Sequence, residues 1–239
     1  MNKILVLGLL SLFANLAMAQ APASANTVGV TEVIITENEP GIGQYVSRLL
    51  LSKEYLRLDD GRDEGDFTLF NRKTHEIHSF NHEDQSHLIM KPIAAKAIDF
   101  KLDFKVDQNA MEDAPSVGGI SPVQHQYYAD TRLCKQSINV AGLLPQMTQA
   151  LADYEQALVA QNSQTLERIP SGVRSSCYMA NNYLYASDYL KNGFPLFVMD
   201  DLGRQKKLES FRQIDMPATL FEPVSGYQVY YPNAANLAQ

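Results

Sequence analysis

The chain has 239 residues, 45% of them hydrophobic and 20% charged, with a formal net charge of −7. That length and apolar fraction suffice for one packed core and exclude a disordered or collagen-like chain. An acidic balance without any run of Lys and Arg excludes nucleic acid, and an anionic membrane surface, as the main partner.

The first segment reads as an address. Asn2 and Lys3 are polar, residues 4–16 are apolar, and Ala17-Met18-Ala19 places small residues before Gln20. This is the pattern of a cleavable secretory signal peptide over 1–19. Its apolar run is too short for a bilayer core of about 30 Å, and no later stretch is long enough to add a transmembrane segment to the mature chain. The expected location is the periplasm. Residues 20–27 form a small-residue leader, expected to be disordered.

From residue 28 the period is that of strands. Segments 30–36, 45–51, 55–59, 67–70, 76–80 and 88–90 are apolar or alternating and are separated by polar, Gly- or Pro-containing turns. The sharpest alternation is at 98–106. Ile98, Phe100, Leu102, Phe104 and Val106 are apolar, and Asp99, Lys101, Asp103 and Lys105 lie between them. One buried face and one wet face are implied, as in an antiparallel sheet. A further strand is expected at 123–128. The period then becomes helical: Leu144, Met147, Leu151, Tyr154 and Leu158 mark a helix to about residue 167, with Pro145 in its first turn. A second helix is predicted over 176–191, stopped by Asn192-Gly193. Strand character returns at 194–199 and 208–211, and Pro217, Pro223, Gly226 and Pro232 keep the tail non-helical.

The expected class is α+β, a curved antiparallel sheet or half-barrel covered by two helices. It forms one domain over 28–239, with a β-meander at 28–130, a disulfide-tied helical part at 131–192, and a C-terminal hairpin and tail at 193–239. Cys134 and Cys177 are the only cysteines. In an exported chain they are expected to pair, closing a loop of roughly 44 residues for about 4 kcal/mol at most.

The residues Glu54-Tyr55-Leu56-Arg57-Leu58-Asp59-Asp60-Gly61, then Asp66-Phe67-Thr68-Leu69-Phe70 and Ile77-His78-Ser79-Phe80, carry a resemblance in pattern. This order resembles the periplasmic lipoprotein-carrier superfamily of LolA type over 28–106, the hairpin at 194–211 and the tail at 221–227. The resemblance implies a strongly curved half-barrel whose apolar concave face, under helices, holds acyl chains or other greasy ligands. The insertion bounded by Cys134 and Cys177 departs from that pattern.

Four of five histidines lie between 75 and 87. With Glu83-Asp84 at a hairpin turn, residue 80 pairs with 87 and 78 with 89. His78 and His82 then flank His87 diagonally, an arrangement that could hold Zn²⁺ or Cu²⁺ in this register alone. Solvated hairpin histidines are the plainer reading. The acidic residues Asp59, Asp60, Asp63, Glu64 and Asp66 read as a solvated turn, because their spacing is not that of a calcium loop. Arg57, between Leu56 and Leu58, reads as a surface residue. The tyrosines at 178, 183, 185 and 189 suit a helix packed on the sheet.

No Gly-x-Ser-x-Gly, no His-Glu-x-x-His and no phosphate loop is present. A non-catalytic binding or carrier protein without a cofactor is therefore expected, taking an apolar small molecule in a cavity lined by Ile98, Phe100, Leu102 and Phe104. The alternatives are an envelope-protein interaction module with a filled core and a His-dependent metal binder.

Overall fold

The computed structural model describes residues 26–232. The signal peptide expected at 1–19 lies outside the described residues. Twelve strands form one open sheet: β1 (Thr27–Glu39), β2 (Gly43–Leu51), β3 (Tyr55–Asp59), β4 (Phe67–Asn71), β5 (Ile77–Asn81), β6 (Ser86–Met90), β7 (Phe104–Ala110), β8 (Val123–Ala129), β9 (Arg132–Val140), β10 (Phe194–Asp200), β11 (Gln205–Pro217) and β12 (Gln228–Tyr230). Their order across the sheet is β12-β6-β5-β4-β3-β2-β1-β11-β10-β9-β8-β7. All neighbours are antiparallel except β12 and β6. The long pair β1 and β11 joins the early meander to the later strands.

The fold is mainly β, which corrects the α+β expectation of a half-barrel covered by two helices. Among the described residues, α1 (Pro145–Ser163) is the one long helix, and α2 (Ser176–Met179) is a single turn. The second helix predicted over 176–191 breaks into α2, a π turn at Ala180–Leu184 and a 3-10 turn at Asp188–Asn192. Asn181 and Asn182 explain the break. Asn182 turns its amide back to the Tyr178 carbonyl at 2.9 Å, and Asn181 donates to the Cys134 carbonyl at 2.9 Å. Such local side-chain bonds compete with the helix ladder. The interval expected to be helical also contains β9, which pairs with β8 and β10.

The strand predicted at 98–106 starts only at Phe104. Phe104 pairs with Ala129, and beyond that point β8 turns at Asp130 into β9. Residues 98–103 therefore have no ladder partner. Alternation gave them a preferred face but not the hydrogen bonds a strand requires. The Asp130 N–H closes the end by donating to the Asp103 carbonyl at 2.7 Å.

Both faces of the early sheet are covered. On one, Val33, Leu49, Leu51, Leu56, Phe70 and Ile77 pack against Met147 and Ala150 of α1. On the other, Val30, Leu50, Phe67, Leu69 and Phe80 pack against Leu220 and Phe221 of a short C-terminal turn. Helix α1 ends at Ser163, whose hydroxyl donates to the Ala160 carbonyl and accepts from the Lys96 N–H at 2.9 Å. The disulfide Cys134–Cys177 is present and ties α2 to β9. Among the described residues no helix is long and apolar enough to cross a membrane.

Candidate functional site

Helix α1 does not close over the whole of its sheet face. Beside it, between β1, β9, β10 and β11, lies a cleft of two adjoining chambers whose walls share Glu37, Glu155, Tyr189, Val198 and Lys206. The outer one has a volume of about 470 Å³ and polar walls that include Lys135, Asn181, Asn182 and Arg204. The inner one is about 130 Å³; Ile35, Leu49, Leu58, Leu151, Phe194 and Leu208 supply most of its wall, and Glu37, Ser47, Asp59 and Lys206 also border it. Glu155 and Tyr189 belong to the walls of both chambers. Ligand pockets commonly have this composition, an apolar lining with a few convergent polar groups.

Three elements deliver the central side chains. Glu155 lies on α1 four residues after Leu151, so the helical repeat brings it onto the sheet-facing side. Tyr189 sits in the 3-10 turn at Asp188–Asn192. Its carbonyl accepts from Asn139 Nδ2 at 2.9 Å, and the same amide bonds the Gly193 carbonyl at 2.8 Å. Only glycine fits there: φ is +98°, and a Cβ would stand 2.3 Å from the Val140 carbonyl oxygen. Lys135 lies on β9 next to Cys134. The disulfide thus fixes both the lysine's strand and the start of the segment that carries Asn181, Ala186 and Tyr189.

The Tyr189 hydroxyl donates to Glu155 Oε1 at 2.6 Å. Lys135 Nζ donates to the Ala186 carbonyl at 3.1 Å and lies 4.5 Å from the centre of the Tyr189 ring. Glu155 Oε2 is buried and has no hydrogen-bond partner among the described residues. Burial pushes the Glu155 carboxyl up, against the opposing pull of Lys135 and of the Tyr189 bond. It pushes the Lys135 ammonium down, against the pull of Glu155 and Asp200. The Tyr189 phenol is driven well above its ordinary range by burial and by Glu155. Strongly perturbed groups gathered in a cleft mark a functional-site candidate.

The residues expected to line a cavity lie elsewhere. Ile98 and Phe100 are half-buried in the extended segment before β7. Leu102 packs against Ala129 and the disulfide, and Phe104 stacks on Tyr185 with ring centres 3.6 Å apart. None of the four lines either chamber of this cleft.

The histidine hairpin has the expected register, Phe80 opposite His87 and His78 opposite Ile89. His78 Nδ1 lies 2.9 Å from His87 Nε2, and the His87 ring stacks on Phe80 at 4.1 Å. His82, beyond the end of β5, bonds instead to the Tyr227 hydroxyl. Among the described residues no group of three or more His, Cys, Asp or Glu is placed to hold a metal ion.

Arg57 is not a surface residue. It is 2% exposed, and its guanidinium reaches Asp59 at 2.6 Å, the Leu220 carbonyl at 2.8 Å and the Asp63 carbonyl at 3.1 Å. The face it occupies is covered by the C-terminal turn. Asp59, expected in a solvated turn, is buried between Arg57 and Arg48.

No family model and no curated protein matches the chain. The solved structures similar to it include two described as "Structure of PNGF-II in C2 space group" and "Structure of PNGF-II in P21 space group". The first has 12% identity and a TM-score of 0.44, the second 10% and 0.40. Each match covers 87% of this chain and 32% of the other, so this chain spans about a third of the length of those proteins. Likeness at this level carries nothing about the chemistry of the cleft.

Proposed function

We propose that this chain is an exported, non-catalytic binding or carrier protein whose ligand is a small amphipathic molecule held in the cleft beside α1. The observation that carries this reading lies in the wall that the two chambers share. There a buried carboxyl oxygen of Glu155 lacks a donor, directly beside an apolar chamber of about 130 Å³. An unpaired buried polar atom costs roughly 1–3 kcal/mol, and a ligand donor would remove that cost. That chamber is small, close to the engineered cavity of about 150 Å³ that takes up benzene. A short chain or a single ring fits it, and a long acyl chain does not.

The test is calorimetric titration of the folded protein with straight-chain alcohols of increasing length. Each buried methylene adds about 0.8 kcal/mol of affinity, and the gain should stop after the first few carbons. Leu151→Phe, which fills the inner chamber, should abolish uptake. Absence of uptake across the series, or equal uptake by Leu151→Phe, would remove this reading.

A further inference from the structure

The reading of the cleft as a ligand site can be taken one step further, to the chemistry of the ligand's polar end, and this step rests on that reading. We infer that the cleft binds a zwitterion, an amine and a carboxylate on one small head, with an apolar substituent that enters the inner chamber. An apolar α-amino acid has this form.

The charges in the outer wall mostly pair among themselves. Lys206 meets Glu37 at 3.2 Å, and Arg204 meets Asp200 at 2.6 Å. Glu39, Lys135 and Glu155 form no direct ion pair in that wall, and of these three Lys135 and Glu155 converge on one side chain. Both contact Tyr189, the lysine at the ring and the glutamate at the hydroxyl. Lys135 has one hydrogen bond, to the Ala186 carbonyl, and an ammonium has three N–H donors. Glu155 has one oxygen satisfied and one bare. The cleft therefore offers a donor and an acceptor of opposite charge, held apart by a phenol.

Charge balance selects among ligands. A simple carboxylate would satisfy Lys135 and leave Glu155 unpaired, and a simple amine would do the reverse. Each leaves one of the two groups without the opposite charge that would hold it ionised. A zwitterion satisfies both and adds no net charge. Burial drives both groups toward their neutral forms, and a zwitterion supplies what lets both ionise. Because Glu155 and Tyr189 wall both chambers, a head bound between Lys135 and Glu155 sits at the mouth of the apolar chamber. Its volume of about 130 Å³ suits a phenyl or isobutyl group.

The experiment is titration calorimetry of the wild-type chain with L-phenylalanine, L-leucine, phenethylamine, 3-phenylpropionate and benzyl alcohol. L-Phenylalanine should bind at least tenfold more tightly than phenethylamine, 3-phenylpropionate or benzyl alcohol. Glu155→Gln should lose tenfold or more for L-phenylalanine and phenethylamine without weakening 3-phenylpropionate, and Lys135→Met should show the opposite selectivity. If phenethylamine, 3-phenylpropionate or benzyl alcohol binds as tightly as L-phenylalanine, the zwitterion is wrong and the cleft stands as a ligand site. If none of the five binds, the zwitterion is wrong, and if the alcohols also fail, the reading of the cleft as a ligand site falls with it. The wild-type ranking decides the matter even where a variant does not fold.

Discussion

The two faces of the sheet treat buried charge in opposite ways. On the face under the C-terminal turn, Arg57 is bonded to a carboxylate and two carbonyls and lies 3.9 Å from the centre of the Phe67 ring. Arg48 likewise meets Asp59 at 2.8 Å and Asp63 at 2.7 Å. The charges there are matched within the fold, and the network links β2, β3 and the turn after β3 to the carbonyl of Leu220. On the face under α1, Glu155 keeps a bare oxygen and Lys135 has a single hydrogen bond. Matched buried charge has the signature of architecture. Unmatched ionisable groups in the wall of a cleft have the signature of a site, where stability is forgone for binding.

The matched face should break hardest. Asp59→Ala leaves two buried guanidiniums without their shared carboxylate, and a loss of about 3–5 kcal/mol is expected in denaturant unfolding. A loss under 1 kcal/mol would mean that the network is not structural. Next comes the disulfide. Replacing Cys134 and Cys177 by Ala should cost about 2–4 kcal/mol. It should also weaken ligand uptake, because the bridge anchors the strand of Lys135 and the segment of Tyr189. Unchanged uptake would separate the bridge from the cleft.

A smaller effect concerns the histidines on the matched face. Burial lowers both His78 and His87 below the ordinary value of 6.5, with Glu76 pulling His78 back up and His78 pushing His87 further down. The folded state thus binds protons less readily than the unfolded chain. Stability from this pair is complete above pH 6.5 and is lost progressively as pH falls from there through the lowered folded-state values. Unfolding curves between pH 7 and 5.5 should show the decline, and His87→Gln should flatten it. His125, also lowered by burial, adds a decline of the same sign that this variant leaves in place.

Much of the sheet could be read from local signals. Residues 55–59 gave β3 at its observed bounds, and the turn at Glu83-Asp84 fixed the register of β5 and β6. The failures share one cause. Alternation reports which side of a residue is buried, and it does not report whether a partner strand exists (98–103) or whether the second face is also covered (Arg57). Short elements such as α2 and β12 depend on distant contacts, here the disulfide and the edge of β6. The cleft was the least legible part. Lys135, Glu155 and Tyr189 come from a strand, a helix and a turn, with no motif spacing among them. One trace existed, a glutamate within the apolar stripe of α1 between Leu151 and Leu158.

The contrast between the faces is tested most directly by the smallest substitution, Glu155→Gln, which keeps the acceptor for Tyr189 and removes the charge. Because burial raises the Glu155 carboxyl, the folded state gains nothing from this carboxylate at neutral pH. Denaturant unfolding at pH 7 should therefore show a variant as stable as wild type, within about 0.5 kcal/mol, or more stable. A loss of several kcal/mol, on the scale of Asp59→Ala, would place Glu155 with the matched charges and contradict the assignment of the cleft as a ligand site.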